Sequence, residues 1–115
     1  MKKADYYINV GKVKENGAYP KVSGYVEAVA DSKGNILMIG YDKRDEDGWK
    51  ATELKTGFCV SQDGLDMKRK CVENVHNNID ALVKIYNLKM TDKKFYNKFI
   101  KPFENFVKAN GGIKV

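Results

Sequence analysis

The chain has 115 residues, 43% of them hydrophobic and 31% charged, with a formal net charge of +6. This balance excludes a disordered polyelectrolyte, and the length fits one domain spanning residues 1–115. No apolar run approaches the roughly 18 residues of a membrane span, and Met1-Lys2-Lys3-Ala4-Asp5-Tyr6 has no apolar stretch of the secretory kind.

Two cysteines, Cys59 and Cys71, make no disulfide framework, so two buried thiols and a cytoplasmic setting are expected. The charge is uneven. There are 10 basic and 9 acidic residues through Gly57, then 11 basic and 6 acidic. A basic second half suits an acidic or polyanionic partner, and solvated helix faces would carry the same lysines.

Tyr6 to Val13 reads as a first strand, with Tyr6, Ile8 and Val10 alternating toward one face. Asn16-Gly17 breaks it, and Pro20 belongs at a strand start or edge. Val22 to Ala30 is the second strand, with Val22, Val26, Ala28 and Ala30 on one face. The Asp31-Ser32-Lys33-Gly34-Asn35 loop leads to a third, Ile36 to Tyr41. The third strand barely alternates, which predicts cover on both faces, and Gly40 marks a bulge or a close neighbour.

Asp42 to Gly48 carries four carboxylates. Its Asp-x-Asp-Gly fragment lacks the further ligands and the closing Glu of a calcium loop, so a solvated hairpin tip is expected and no metal. Trp49–Leu54 and Phe58–Ser61 then pair across Lys55-Thr56-Gly57. Trp49 and Phe58 are the large anchors of that hairpin, and an exposed Trp49 would instead anchor a partner.

A long helix follows Gln62-Asp63-Gly64, capped by Asp63 or Asp66. Cys71, Val72, Val75, Ile79, Leu82, Val83 and Tyr86 form its apolar stripe, with Asp80 and Lys84 spaced as an i,i+4 pair. Lys68, Arg69 and Lys70 sit in its first turns, where the helix dipole favours acids, so the cluster either receives an anion or is merely solvated.

Thr91 reads as the cap of a second helix. Phe95, Tyr96, Phe99, Ile100, Phe103, Phe106 and Val107 make its buried side, or a dimer or partner face. Lys94, Lys98, Lys101 and Lys108 lie opposite. Pro102 predicts a kink, and Asn110-Gly111-Gly112 ends the helix.

Little chemistry is available. His76 is the sole histidine, and Cys71 points roughly 140° away from it on the same helix. Two cysteines and one histidine fall short of a structural zinc set, and neither phosphate-loop motif is present. No catalytic set and no cofactor is read from the sequence.

Asp45-Glu46-Asp47-Gly48-Trp49 and Gly57-Phe58-Cys59-Val60-Ser61-Gln62-Asp63-Gly64 resemble the acidic turn and Gly-Cys-Val-Ser-Gln-Gly-like segment of HicB-type antitoxin N-terminal domains, across residues 36–86. The proline-bearing turn of that family is replaced by Thr52-Glu53-Leu54-Lys55-Thr56-Gly57, and its DNA-binding C-terminal segment is not evident. Lys68, Arg69 and Lys70 also resemble the basic start of the last helix in a double-stranded RNA-binding domain, whose leading helix is absent here. The general character is similar to small phage or mobile-element proteins, including anti-CRISPR and other anti-defence inhibitors.

The expected fold is α+β: a four- to five-stranded antiparallel meander over residues 5–61, then helices over 64–87 and 91–110 packed on one face. The missing catalytic set, the small size and the resemblances imply a non-enzymatic binding protein that docks on and inhibits or regulates a protein partner of nucleic-acid machinery. The alternative is direct DNA or RNA binding through the basic half. The candidate contact residues are Lys68, Arg69, Lys70, Lys94, Lys98, Lys101 and Trp49.

Overall fold

The computed structural model describes residues 1–10 and 17–113. Strands β1 (Lys2–Tyr7), β2 (Lys21–Ala30), β3 (Ile36–Lys43) and β4 (Trp49–Glu53) form one antiparallel sheet in sequential order. Short connections join β2 to β3 and β3 to β4, as the sequence pattern predicts, while residues 8–20 separate β1 from β2. The registers set Ala4 opposite Gly24, Val26 opposite Gly40 and Tyr41 opposite Ala51.

β1 lies earlier than the predicted Tyr6–Val13. Its alternation does continue through buried Ala4, Tyr6 and Ile8. The Ile8 and Asn9 amides, however, donate to Pro20 and Gly57 carbonyls instead of a ladder. Residues 11–13 of the predicted strand lie outside the described residues.

One sheet face buries Val29, Leu37, Ile39, Tyr41 and Ala51 against Leu65, Cys71, Val75 and Val83, with Val72, Ile79, Leu82 and Tyr86 at the margin. The predicted helical stripe is therefore the core stripe, and each fully buried aliphatic side chain contributes about 1.5–3 kcal/mol. The other face holds Ala4, Tyr6, Ile8, Val26 and Leu54. Its far end is bare. Ile36 and Met38 are 62% and 44% exposed, and Ala28 and Ala30 are exposed too. The expected cover on both faces of β3 fails there because α1 and α2 protect only the side of Leu37, Ile39 and Tyr41.

The sheet stays four-stranded because the segment after β4 pairs only at isolated bridges, Thr52 with Cys59 and Trp49 with Leu65. Val60 N–H donates to Ala51 O at 2.8 Å, but the Ala51 N–H turns to the Ser61 hydroxyl at 2.9 Å. A side chain has taken the ladder position. The turn itself is held by the buried Glu53 carboxylate, which accepts from the Lys55 and Thr56 amides at 2.7 and 2.9 Å.

The predicted first helix is two helices, α1 (Lys68–Asn77) and α2 (Ile79–Thr91), parted at Asn78. The Asn78 side chain donates to Asn74 O at 2.7 Å. Residues 64–67 are not helical, and neither proposed cap serves: Asp63 pairs with Lys50, and Asp66 with Lys70. Asp80 does not pair with Lys84. It accepts from the Ser32 amide and hydroxyl at 2.8 and 2.9 Å, tying α2 to the β2–β3 loop.

Thr91 ends α2, its hydroxyl donating back to Asn87 O at 2.8 Å, and Asp92 is the true cap, accepting from Phe95 N–H at 3.1 Å. Threonine back-bonding and capping use the same hydroxyl, so position alone decided between them.

α3 (Lys93–Phe95) runs into a π-turn over Tyr96–Ile100 and then α4 (Lys101–Ala109). The irregularity expected at Pro102 sits just ahead of it: the Lys101 N–H reaches back to Tyr96 O, and Pro102 lies in the first turn of α4. Phe103 packs edge-on against Tyr19 at 5.1 Å, and Phe106 against Tyr7 at 4.9 Å. Asn9 pins the arm by donating to Phe99 O at 2.8 Å and Thr56 O at 3.1 Å. Among the described residues no helix is long and apolar enough to cross a membrane.

Candidate functional site

The seven candidate residues fall in three places. Lys68 opens α1, but its Nζ lies 3.9 Å above the centre of the Tyr25 ring on the sheet. Arg69 pairs with Glu73 at 3.8 Å and Lys70 with Asp66 at 2.9 Å. The hydrogen bond from Lys70 holds the Asp66 carboxyl below its usual range. Two of the three cations are thus matched by neighbours one turn away, at exposed positions where such pairs are worth about 0–1 kcal/mol. The cluster keeps its lysines at the surface but with little uncompensated charge.

Lys94, Lys98 and Lys101 lie on the α3–α4 arm and are all exposed. α1 packs on β3 and β4, whereas the arm packs on α2, so the two basic groups belong to different parts of the fold. Between residues 89 and 108 there are six lysines and two acids. Both acids are engaged: Asp92 caps α3, and Glu104 accepts from Tyr96 OH at 2.7 Å. Among the described residues Lys94 and Lys101 form no ion pair.

Aromatic rings interleave with these lysines, which sequence reading did not find. Phe58 meets Phe95 at 5.8 Å, and Phe95 meets Phe99 at 5.0 Å. Lys89 Nζ sits 4.6 Å over Phe58, and Lys98 Nζ 5.2 Å over Phe99. All three rings are half-buried. The helical period placed Phe95 and Phe99 on the core side. The one missing clue was Phe58, which reaches them from the turn after β4. A half-exposed ring beside an ammonium offers both stacking and charge to a nucleic acid.

Trp49 is half-buried, bridged to Leu65 through its amide at 2.7 Å and packed on the margin of the helix-side core. It serves as the hairpin anchor and keeps part of its ring at the surface.

His76 is tied to Glu27 at 3.1 Å, and Glu27 also accepts from the buried Tyr41 hydroxyl at 2.7 Å. Burial first, then Glu27, pushes the Tyr41 hydroxyl pKa far above its ordinary value. Cys71 is buried, as expected, but Cys59 is exposed, with its thiol 3.6 Å from Ser61 O. The imidazole nitrogen meets the Glu27 carboxylate and not a thiol. Among the described residues no group of three or more His, Cys, Asp and Glu side chains is placed to hold a metal.

No protein-family model, no curated protein and no solved structure matches this chain.

Proposed function

We propose that this chain is a non-enzymatic binding protein that acts on nucleic-acid machinery by laying the lysine ridge of α3–α4 on a nucleic-acid backbone. The observation that supports the reading is the run of Lys89, Lys93, Lys94, Lys98, Lys101 and Lys108 against two acids, Asp92 and Glu104, which accept from an amide and a hydroxyl and pair with no lysine among the described residues. Phosphate neutralisation releases counterions, so affinity falls steeply with salt. The test is binding of a labelled oligonucleotide at two salt concentrations, for the native chain and for Lys94→Ala/Lys98→Ala/Lys101→Ala. The reading requires salt-sensitive binding that the triple change weakens and whose salt slope it reduces.

A second reading, an inhibitor docking on a protein component in the manner of antitoxins or anti-CRISPR proteins, draws support from a different surface. The bare end of the sheet exposes Ile36 and Met38, and Met38 continues into an apolar groove with Leu54, Val107 and Ile113. Contiguous exposed apolar surface of this kind suits a protein partner. Capture of a partner that survives nuclease and is lost in Ile36→Ser/Met38→Ser would favour this reading over the first.

A further inference from the structure

β2 and β3 pair from Tyr25 opposite Tyr41 to Ala30 opposite Ile36. Beyond that point they part. Gly24 pairs only with Ala4 of β1, while Asp42 and Lys43 pair only with Lys50 and Trp49 of β4. The parting strands leave a wedge-shaped cleft of about 360 Å³, lined among others by Lys3, Tyr25, Lys43 and Trp49. That volume is within the roughly 300–1,000 Å³ of small-ligand sites.

The apex of the wedge is tightly packed. A Cβ on Gly24 would lie 2.2 Å from Tyr41 O and 2.9 Å from the Tyr6 hydroxyl, so only glycine lets the strands close there. Behind it the Asp42 carboxylate is fully occupied, by Tyr6 at 3.0 Å and by Arg44 Nε and Nη2 at 2.9 and 3.2 Å. Asp5 is likewise engaged, by the Ser23 hydroxyl and by Lys21 at 3.8 Å. Both acids of the cleft are thereby paired with cations, and Lys3 and Lys43 stand at its rim with Lys68 on the Tyr25 ring, none of the three in an ion pair among the described residues; Lys43 also borders the acidic loop of Asp45, Glu46 and Asp47.

Two aromatic walls, two rim lysines and a third ammonium on one wall describe a receptor for a flat ring carrying a negative tail. We infer that this cleft seats one nucleobase against Trp49 and the side of Tyr25 that Lys68 leaves open, with its phosphate on Lys3 and Lys43. The inference rests on the nucleic-acid reading above and adds a base-holding pocket on a different surface from the lysine ridge. Stacking supplies most of such binding and is tolerant of base identity. The phosphate contacts position the chain.

Trp49 is the only tryptophan, so its fluorescence reports on the cleft wall with no second indole to confuse the signal. The experiment titrates the intact chain with adenosine monophosphate, with a ten-nucleotide oligoadenylate and with inorganic phosphate. Amide shifts of Gly24 and Lys43 are followed by NMR in parallel. Saturable quenching by the nucleotide and the oligonucleotide, with shifts at both amides, is expected. Tighter binding of the oligonucleotide assigns the pocket to a nucleic-acid chain, and equal binding assigns it to a free nucleotide.

Lys43→Ala, at an exposed position that leaves the fold alone, and Tyr25→Leu should each weaken nucleotide binding about five-fold or more. Lys94→Ala/Lys98→Ala/Lys101→Ala should leave nucleotide quenching unchanged, which separates failure of the cleft from failure of the ridge. An unquenched Trp49 with unmoved amides overturns the inference. So does an equal response to inorganic phosphate, which would mean an anion site without a base.

Discussion

The Tyr6 hydroxyl donates to Asp42 Oδ1 at 3.0 Å, joining the edge strand to the third strand across 36 positions of sequence. The ring can lie there because Gly40 has no side chain: a Cβ at that position would sit 2.5 Å from the ring. Arg44 completes the group by bonding both carboxylate oxygens and the Thr52 hydroxyl at 3.3 Å. Tyr6→Phe removes one donor from a buried carboxylate that keeps its arginine. The expected loss is about 1–2 kcal/mol. Gly40→Ala should cost about 1–3 kcal/mol by overpacking against the ring. Urea midpoints of the two variants measure both, and Tyr6→Phe should relieve only a small part of the Gly40→Ala clash, because the ring carbons at 2.5 and 2.6 Å remain.

Much of this was legible and some was not, for specific reasons. The alternation of β2 and the stripe from Cys71 to Tyr86 are local periodicities, so they announced the sheet and its helical cover. Gly40 read as either a bulge or a close-packing position, and the sequence could not decide, because its neighbour Tyr6 is 34 residues earlier and periodicity carries no such information. The fifth strand looked sound in sequence because nothing there says that the Ser61 hydroxyl takes the Ala51 amide. The lysine ridge could be read from helical spacing. Its phenylalanine companions could not, since Phe58 joins from another element. The cleft at Trp49 depends on two strands parting, which is a property of register alone.

Stability should fall at both ends of the pH scale. Asp31 is held below its usual range by the Asn35 side chain, Asp63 by Lys50 and Asp66 by Lys70. A lowered folded pKa gives stability that is present above the ordinary carboxylate range, near pH 4, and is lost as pH falls through the folded value. Burial foremost, then Asp42 for Tyr6 and Glu27 for Tyr41, raises both hydroxyls well above the ordinary tyrosine value. Their contribution is complete below about pH 10 and declines as pH rises beyond it. Thermal midpoints should be flat from about pH 5 to 9 and drop on either side. Tyr41→Phe should soften the alkaline limb and leave the acid limb unchanged.

Removing Lys68, Arg69 and Lys70 together should cost little stability. The Arg69–Glu73 and Lys70–Asp66 pairs are exposed, and pairs of this kind contribute about 0–1 kcal/mol each. Lys68 over Tyr25 adds about 0.5–1 kcal/mol. Oligonucleotide affinity should respond more to Lys94→Ala/Lys98→Ala/Lys101→Ala, whose charges have no internal acid to satisfy. Filter binding over a salt series compares them. Lys33, on the exposed β2–β3 loop, is the neutral control; Lys43 is unsuitable, because it lines the cleft beside Trp49. Equal losses from the two triple variants would extend the contact surface to α1 and overturn the preference for the ridge.

Gly57 couples the turn after β4 to the docking of α4. Its φ is 75°, and a Cβ there would lie 2.4 Å from the Phe103 ring. Gly64 has nearly the same φ, 76°, but nothing within 4 Å of its missing Cβ. Alanine at either position incurs the left-handed backbone cost of about 1–2 kcal/mol. Only Gly57→Ala adds a clash, worth about 1–3 kcal/mol more. Phe103 is 1% exposed, so its ring has nowhere to retreat without lifting the arm. Gly57→Ala should therefore unfold at lower urea than Gly64→Ala. Combining Gly57→Ala with Phe103→Leu should recover part of the difference, because a shorter side chain vacates the contested space. The lysine ridge rides on the same arm, so Gly57→Ala should also weaken oligonucleotide binding under conditions where the sheet is still folded, and Gly64→Ala should not. Matching midpoints for the two glycine variants would place the Phe103 ring elsewhere and detach the ridge from this turn.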